Sequence, residues 1–148
     1  MVMPDVAMLA MRNSRSRAYL QEMIKVGLFP AHVIFLEDHK TAVPGCSPWD
    51  EAFDFTVVFD QWNISYEIVP SLEVNGSVVL DKIAGAKQKY FIYAGPGGVI
   101  LRKPILSLGK QFLHVHAGRL PAYRGSTTIY YQMLCEEFCT ATALILNE

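Results

Sequence analysis

The chain has 148 residues, the size of one domain, and 51% of them are hydrophobic, enough to cover a β-sheet on both faces. Thirteen basic and 14 acidic residues give a formal net charge of -1, which argues against nucleic acid or an anionic membrane as the main partner. No apolar run approaches the roughly 20 residues that cross a bilayer. Three cysteines and no visible export signal predict a cytoplasmic protein without a disulfide framework.

Strand-like runs alternate with segments of helical period, which is typical of βαβ units and a mainly parallel sheet with helices on both faces. The first strand is predicted at 6–12, before a helix that Asn13 or Ser14 caps and Gly27 ends. Asn75 is expected to cap a later helix. Residues 40–54 are predicted to be an irregular surface segment. The remaining strands are predicted at 31–38, 63–71, 89–98, 112–117 and 140–147, and the remaining helices at about 75–87, 104–109 and 126–138.

Two of the predicted strands run into glycine-containing turns, AGPGG at 94–98 and HVHAG at 114–118. In open α/β sheets, ligands bind at the carboxyl ends of the strands, so we expect neighbouring strands that form one cleft. Gly95, Gly97 and Gly98 permit positive φ and close approach of the backbone to a flat heterocycle. The alternative, that these glycines only form a turn, stays open at this point.

His114 and His116 point to the same side of the sheet because side chains alternate along a strand. They can be read as site residues or as part of a zinc site completed by Cys135 and Cys139, which are four residues apart. We favour site residues, since no Asp or Glu between 112 and 135 completes a metal set. We interpret the two cysteines as packed thiols on an apolar helix stripe.

The stretch from Tyr90 to Glu148 resembles the catalytic half of the folate-dependent formyltransferases, a family that includes glycinamide ribonucleotide, methionyl-tRNA and sugar N-formyltransferases. The family motif N-x-H-x-S-x-L-P, followed by a [YF]-[RP]-G turn, aligns without a gap on HVHAGRLPAYRG at 114–125. The earlier part of the chain is similar more loosely, through its strand order and the VNGSVVLDKI helix. The motif matches at His116, Leu120, Pro121 and Gly125.

The resemblance implies a Rossmann-like three-layer fold and formyl transfer from 10-formyltetrahydrofolate to an amine. His116 takes the family's acid/base position, and His114 stands where the family has an asparagine that donates to the formyl oxygen. The folate is expected on the backbone of Gly97, Gly98, Val99 and Ile100. Arg15 and Arg119 are weaker candidates for binding the acceptor. The acceptor itself stays open among nucleotides, aminoacyl-tRNA, amino-sugars and peptides.

The sequence departs from the family pattern in two ways. The asparagine is replaced by His114, and the catalytic aspartate is expected about three residues beyond Glu148. Residues 1–148 are therefore expected to be an incomplete N-terminal catalytic domain that is weakly active or inactive alone. A non-catalytic folate-cleft or interaction domain is the second hypothesis, and a metal-dependent hydrolase the third. The resemblance also implies a cis peptide bond between Leu120 and Pro121.

Overall fold

A computed structural model describes residues 1–37, 53–125 and 127–147. The segment predicted to be irregular lies almost entirely outside these residues, as does Cys46. The Leu120–Pro121 peptide bond is cis, as expected. In chain order the described elements are β1 (Val2–Met11), α1 (Ser14–Val26), β2 (Phe29–Leu36), α2 (Phe55–Gln61), β3 (Ser65–Val69), α3 (Ser77–Gly85), β4 (Tyr90–Ala94), α4 (Lys103–Leu106), β5 (Gln111–Ala117), α5 (Thr128–Glu136) and β6 (Ala141–Leu146).

The strands form one six-stranded sheet in the order β3-β2-β1-β4-β5-β6. All neighbouring pairs are parallel except β5 and β6, which are antiparallel. The predicted adjacency of the two strands that end in glycine turns is confirmed, because β4 pairs with β5 from Tyr90↔Gln111 to Ile92↔Leu113. The strand order reverses between β1 and β4, where open α/β sheets place their ligand crevices. The α/β, mainly parallel, Rossmann-like fold class is thus confirmed.

Both faces of the sheet are covered, because alternate residues of β1 enter opposite cores. Leu9 belongs to the core that α3 and α4 cover, and Met8 belongs to the core that α1 and α2 cover. Their fully buried partners on the helices are Val79, Ile83 and Ile105 on the first face and Leu20, Phe55 and Phe59 on the second.

Local capping explains where two of the helices begin and end. The Asn13 side chain accepts a hydrogen bond from the Ser16 N–H at 2.8 Å, and α1 ends at Gly27 in the left-handed conformation, as predicted. Helix α2 was not predicted. Its start is capped by Asp54, whose carboxylate accepts from the backbone N–H groups of Thr56 and Val57. Among the described helices, none is long and apolar enough to cross a membrane.

The orientation of α5 corrects the sequence interpretation. Its apolar residues were expected to face inward, but Gln132 and Thr128 are buried, whereas Leu134 is 80% exposed. The reason is a set of polar contacts: the Gln132 side-chain oxygen accepts from the Arg119 N–H at 3.2 Å and the Thr140 hydroxyl at 3.0 Å. The predicted packing of the cysteine thiols is wrong for the same reason, since Cys135 and Cys139 are exposed.

Replacing Gln132 with methionine should therefore destabilise the protein. The change keeps the side-chain length but leaves the part-buried Arg119 N–H without its acceptor, at a cost of about 1–3 kcal/mol in the free energy of unfolding. Urea-induced unfolding measures this loss. The matched control is Met133→Gln on the exposed side of the same helix, for which we expect a change within about 0.5 kcal/mol. An unchanged free energy of unfolding in Gln132→Met would contradict the conclusion that the polar face of α5 points inward.

Candidate functional site

One cavity of about 810 Å³ lies beside the turns that follow β4 and β5. Gly97 and His116 both line it, so the predicted shared cleft is confirmed. The volume is within the range of small-molecule sites. Its other lining residues are Arg15, Tyr93, Pro96, Gly98, Val99, Ile100, Leu101, Leu106, His114, Val115, Ala117, Gly125, Leu146 and Asn147.

The start of α1 holds the end of β4 in place. The Ala94 carbonyl accepts hydrogen bonds from the Asn13 side-chain amide at 3.1 Å and from the Ser16 hydroxyl at 3.2 Å. Ser16 is fully buried, and its hydroxyl oxygen also accepts from the Met11 N–H at 3.2 Å. The position of the glycine turn is therefore set by side chains that come from another βα unit of the sheet.

The three positions of the turn differ in whether, and why, the structure requires a glycine. A Cβ at Gly95 would lie 2.8 Å from the Tyr93 ring, so this position requires close approach rather than a special φ. Gly98 has a φ of +73°, the left-handed region that favours glycine. Gly97 has neither constraint, because a Cβ there would meet nothing within 4 Å. Of the three, only Gly98 uses the positive φ that the sequence interpretation allowed for all of them.

Asn75 ties down the loop that follows this turn, a role that the sequence analysis missed. Its side-chain nitrogen donates to the Ile100 carbonyl at 3.0 Å, and its side-chain oxygen accepts from the Arg102 N–H at 2.8 Å. The predicted helix cap is wrong, because α3 begins after Gly76 without a side-chain cap. The Asn75 side chain thus holds the backbone of the loop, while the Ile100 side chain remains 84% exposed.

The His116 ring is oriented by a backbone carbonyl. Its Nε2 lies 2.7 Å from the Tyr123 carbonyl oxygen, so Nε2–H donates there, and the Thr128 hydroxyl lies 3.4 Å from the same nitrogen. This contact assigns the neutral ring the tautomer in which Nδ1 carries the lone pair. His116 can then accept a proton at Nδ1 without losing the hydrogen bond that orients it.

His114 lies beside Tyr93, with 5.9 Å between the ring centroids in an edge-to-face arrangement. Burial, followed by the positive charge of Arg15, lowers the pKa of His114, while contact with the Tyr93 backbone acts in the opposite direction. Its Nδ1 is buried and has no hydrogen-bond partner among the described residues. Burial therefore favours the neutral form of the ring, and one ring nitrogen has no partner among the described residues.

The two candidate arginines are placed differently. Arg15 lines the cavity and is the one residue with a permanent charge among the lining residues in the described part of the chain. Arg119 is absent from that lining, and its guanidinium pairs with Glu136 of α5. The expectation that Arg119 contacts the acceptor is therefore not supported by its position. The physical reason is that its side chain leaves the turn toward the helix.

A second, more open cavity of about 500 Å³ is lined by His32, Glu67 and Lys82. The Lys82 ammonium lies 2.6 Å from the Glu67 carboxylate, and His32 contacts both Ser65 and Glu67. His32, for which the sequence offered no partner, thus belongs to a paired surface network. Within residues 1–37, 53–125 and 127–147, no three His, Cys, Asp or Glu side chains are grouped as a metal site requires.

Replacing Asn75 with alanine should loosen the cavity loop. The Arg102 amide loses its acceptor, so its hydrogen exchange should become roughly 10-fold faster, which corresponds to a hydrogen bond of about 1.4 kcal/mol. Exchange followed by NMR measures this directly. Asn63→Ala, in the turn after α2, is the control and should leave Arg102 exchange unchanged. Unchanged exchange in Asn75→Ala would show that the loop is held by other contacts.

Stability should fall at acidic pH because of His114. Its folded-state pKa lies below the unfolded value of about 6.5, so the stability contributed by the neutral ring is present above that pH and is lost as the pH falls below it. Thermal unfolding of the wild type and His114→Asn, compared from about pH 8 down to about pH 5.5, tests this. The wild type should lose more stability than the variant. Parallel curves would exclude His114 as the titrating group.

No family model matches the sequence, and no curated protein matches it. Solved structures do match. Phosphoribosylglycinamide formyltransferase from Anaplasma phagocytophilum has a TM-score of 0.63 at 10% identity over 97% of this chain and 64% of its own. The enzyme of that name from Coxiella burnetii has a TM-score of 0.65 at 17% identity over 100% and 67%.

A sugar N-formyltransferase from Shewanella has a TM-score of 0.56 at 10% identity, over 97% of this chain and 51% of its own. The chain thus spans about two thirds of the length of the two phosphoribosylglycinamide formyltransferases and about half that of the sugar enzyme. At these identities the likeness concerns the fold. The chain has the fold of the formyltransferases.

Proposed function

We propose that this chain binds 10-formyltetrahydrofolate and takes part in the transfer of its formyl group to an amine. The observation that carries the proposal is that the histidine pair and the glycine turn line one cavity of ligand size. The fold supports formyl transfer as the general chemistry. Residues from two separate turns, predicted as a pair from the sequence, converge on this cavity.

The cavity fits a folate in three respects. The loop from Gly97 to Ile100 presents backbone groups that can pair with the edge of a flat heterocycle. Two buried polar atoms, the Tyr93 hydroxyl and His114 Nδ1, lack protein partners in the described chain and can bind a polar ligand. Arg15 supplies a positive charge that suits an anionic group of the folate or of the acceptor.

The bound folate supplies an electrophilic formyl carbon. His116 accepts the proton that the attacking amine must lose, using Nδ1 while Nε2–H stays on the Tyr123 carbonyl. His114 is proposed to lie beside the formyl oxygen, in place of an amide, and to donate to it in the tautomer that carries the ring proton on the unpaired Nδ1. Burial around both rings excludes part of the water that would compete for these contacts.

No Asp or Glu belongs to the described lining, so the described lining residues leave the imidazolium of His116 without a carboxylate. Turnover by this chain alone is therefore proposed to be slow. The same observation favours one alternative, a folate-binding domain that does not catalyse transfer. The acceptor is proposed to be an amine, a class that includes aminoacyl-tRNA, and no other nucleic-acid partner is proposed. Cys135 and Cys139 are exposed and form no disulfide within the described part of the chain, which supports a cytoplasmic location.

Calorimetric titration with 10-formyl-5,8-dideazafolate, an oxidation-resistant analogue, tests the binding half of the proposal. The wild type should bind it, and His114→Asn should bind equally well or better because an amide restores two donors. The control is His32→Asn, in the second cavity, which should not change the affinity. Failure of the wild type to bind the analogue would contradict the proposed function.

Single-turnover assays with 10-formyltetrahydrofolate and a high concentration of a simple amine test the chemical half. His116→Ala should lower the residual rate by roughly 10²-fold or more, since it removes the proton acceptor. The His32→Asn rate should equal that of the wild type. A wild-type rate no higher than the uncatalysed rate would favour the non-catalytic alternative, and a higher rate with no loss in His116→Ala would contradict the role of His116. Stoichiometric zinc that survives dialysis and is lost in His114→Ala would instead revive the hydrolase hypothesis.

A further inference from the structure

Tyr93 is a buried tyrosine whose hydroxyl has no protein partner. Only 3% of the residue is exposed, and the hydroxyl oxygen makes no hydrogen bond within the described part of the chain. The residue nevertheless lines the main cavity. Buried tyrosine hydroxyls ordinarily find a partner, because an unpaired polar group in a low-dielectric interior is unfavourable. The lining position indicates that the partner of this hydroxyl is a ligand.

The backbone is arranged to accommodate this side chain. The Tyr93 ring lies against Gly95, where even a Cβ would come within 3.1 Å of the hydroxyl oxygen. A purely apolar residue would fill the core at this position without leaving an unpaired oxygen. The ring thus reaches beneath the turn that forms the cavity wall, and Gly95 provides the space that it occupies.

A second unpaired polar atom lies on the adjacent strand. His114 follows Leu113, which pairs with Ile92 in the parallel register, so Tyr93 and His114 are cross-strand neighbours. His114 Nδ1 is the other buried side-chain atom without a partner among the described residues. The two rings contact each other edge to face, and the His114 ring also contacts the Tyr93 backbone, but neither contact pairs the Tyr93 hydroxyl or His114 Nδ1. Both polar atoms are therefore unpaired and almost without exposed surface, in two residues that line the same cavity.

We propose that the Tyr93 hydroxyl donates a hydrogen bond to the formyl oxygen of the bound donor, beside the His114 ring. This inference rests on the proposed function. A neutral imidazole has a single N–H, whereas an amide offers two, so the phenol supplies a donor that His114 alone does not provide. The ligand feature recognised is a formamide-type oxygen. Tyr93 keeps its proton throughout, so it is a binding and specificity residue.

The electrostatic surroundings favour this role. Burial raises the pKa of Tyr93 to about 12, with the charge of Arg15 acting in the opposite direction. The hydroxyl therefore stays protonated at neutral pH and acts as a donor to an oxygen. Burial also favours the neutral form of His114, so neither side chain needs to carry a charge when the ligand oxygen binds.

The test compares Tyr93→Phe, which removes only the hydroxyl, with Tyr90→Phe at the exposed start of the same strand. Each variant is titrated with 5,8-dideazafolate carrying a formyl group at N10 and with the same molecule lacking it. Tyr93→Phe should bind the formylated ligand roughly 3- to 10-fold more weakly and the unformylated ligand within about twofold of the wild type. Tyr90→Phe should match the wild type with both ligands.

Thermal unfolding of ligand-free Tyr93→Phe supplies a second measurement. Removal of an unpaired buried hydroxyl should leave the melting temperature unchanged or raise it. A clear fall would show that the hydroxyl has a structural partner and would overturn the inference. Equal weakening of both ligands, or no weakening of either, would also overturn it while leaving the proposed function intact. If the wild type binds neither ligand, the proposed function and this inference fail together.

Discussion

The carbonyl of Ala94 is the point on which the geometry of the cavity depends. A carbonyl at the end of a parallel strand has left the ladder and needs donors from elsewhere. Asn13 and Ser16 supply them, and Ser16 also receives the N–H of Met11. The end of β1, the start of α1 and the end of β4 are thereby joined where the strand order reverses. Tyr93 and the glycine turn lie directly before and after this junction in the chain.

The polar side chains that line the described cavity contribute in two different ways. One arginine supplies the permanent charge, and two imidazoles contribute through their positions rather than through partnership with an acid. His116 is oriented by a carbonyl oxygen, which fixes a tautomer but stabilises an imidazolium less than a carboxylate does. Such a site can bind and orient a neutral carbonyl group well. It is less suited to hold a proton taken from an amine. Proton transfer from the amine to His116 is therefore the step that we expect to limit the proposed reaction.

Elements with strong local signals could be predicted from the sequence. The hydrophobic runs identified the strands, and Asn13 and Gly27 identified the limits of α1. Helix α2 also carried a signal, with Asp54 as its cap and two buried phenylalanines one turn apart, but its seven residues are too few for a clear period. The pairing of the two histidines in one cavity followed from strand alternation and from the location of ligand sites in α/β sheets.

The features that could not be predicted depend on distant partners. Asn75 contacts a loop 25 residues away, and nothing near Asn75 distinguishes this role from a helix cap. The amphipathic pattern of α5 could be read, but which side faces inward is decided by Gln132 and its contacts after β5 and before β6. The Tyr123 carbonyl that orients His116 has no signature at all, because every residue carries one.

Because Tyr93 contacts Gly95, the substitutions that evolution can accept at one of these positions depend on the residue at the other. With tyrosine at position 93, any side chain at position 95 collides with the ring. Gly95 therefore cannot be replaced while the tyrosine is present. A smaller residue at position 93 would permit its replacement. Substitutions at the two positions are therefore epistatic, and their order matters: an exchange at 93 must precede one at 95. A sequence that has lost the tyrosine should tolerate alanine or serine in the turn, and co-variation of this pair across related chains would record which lineages have kept the buried hydroxyl.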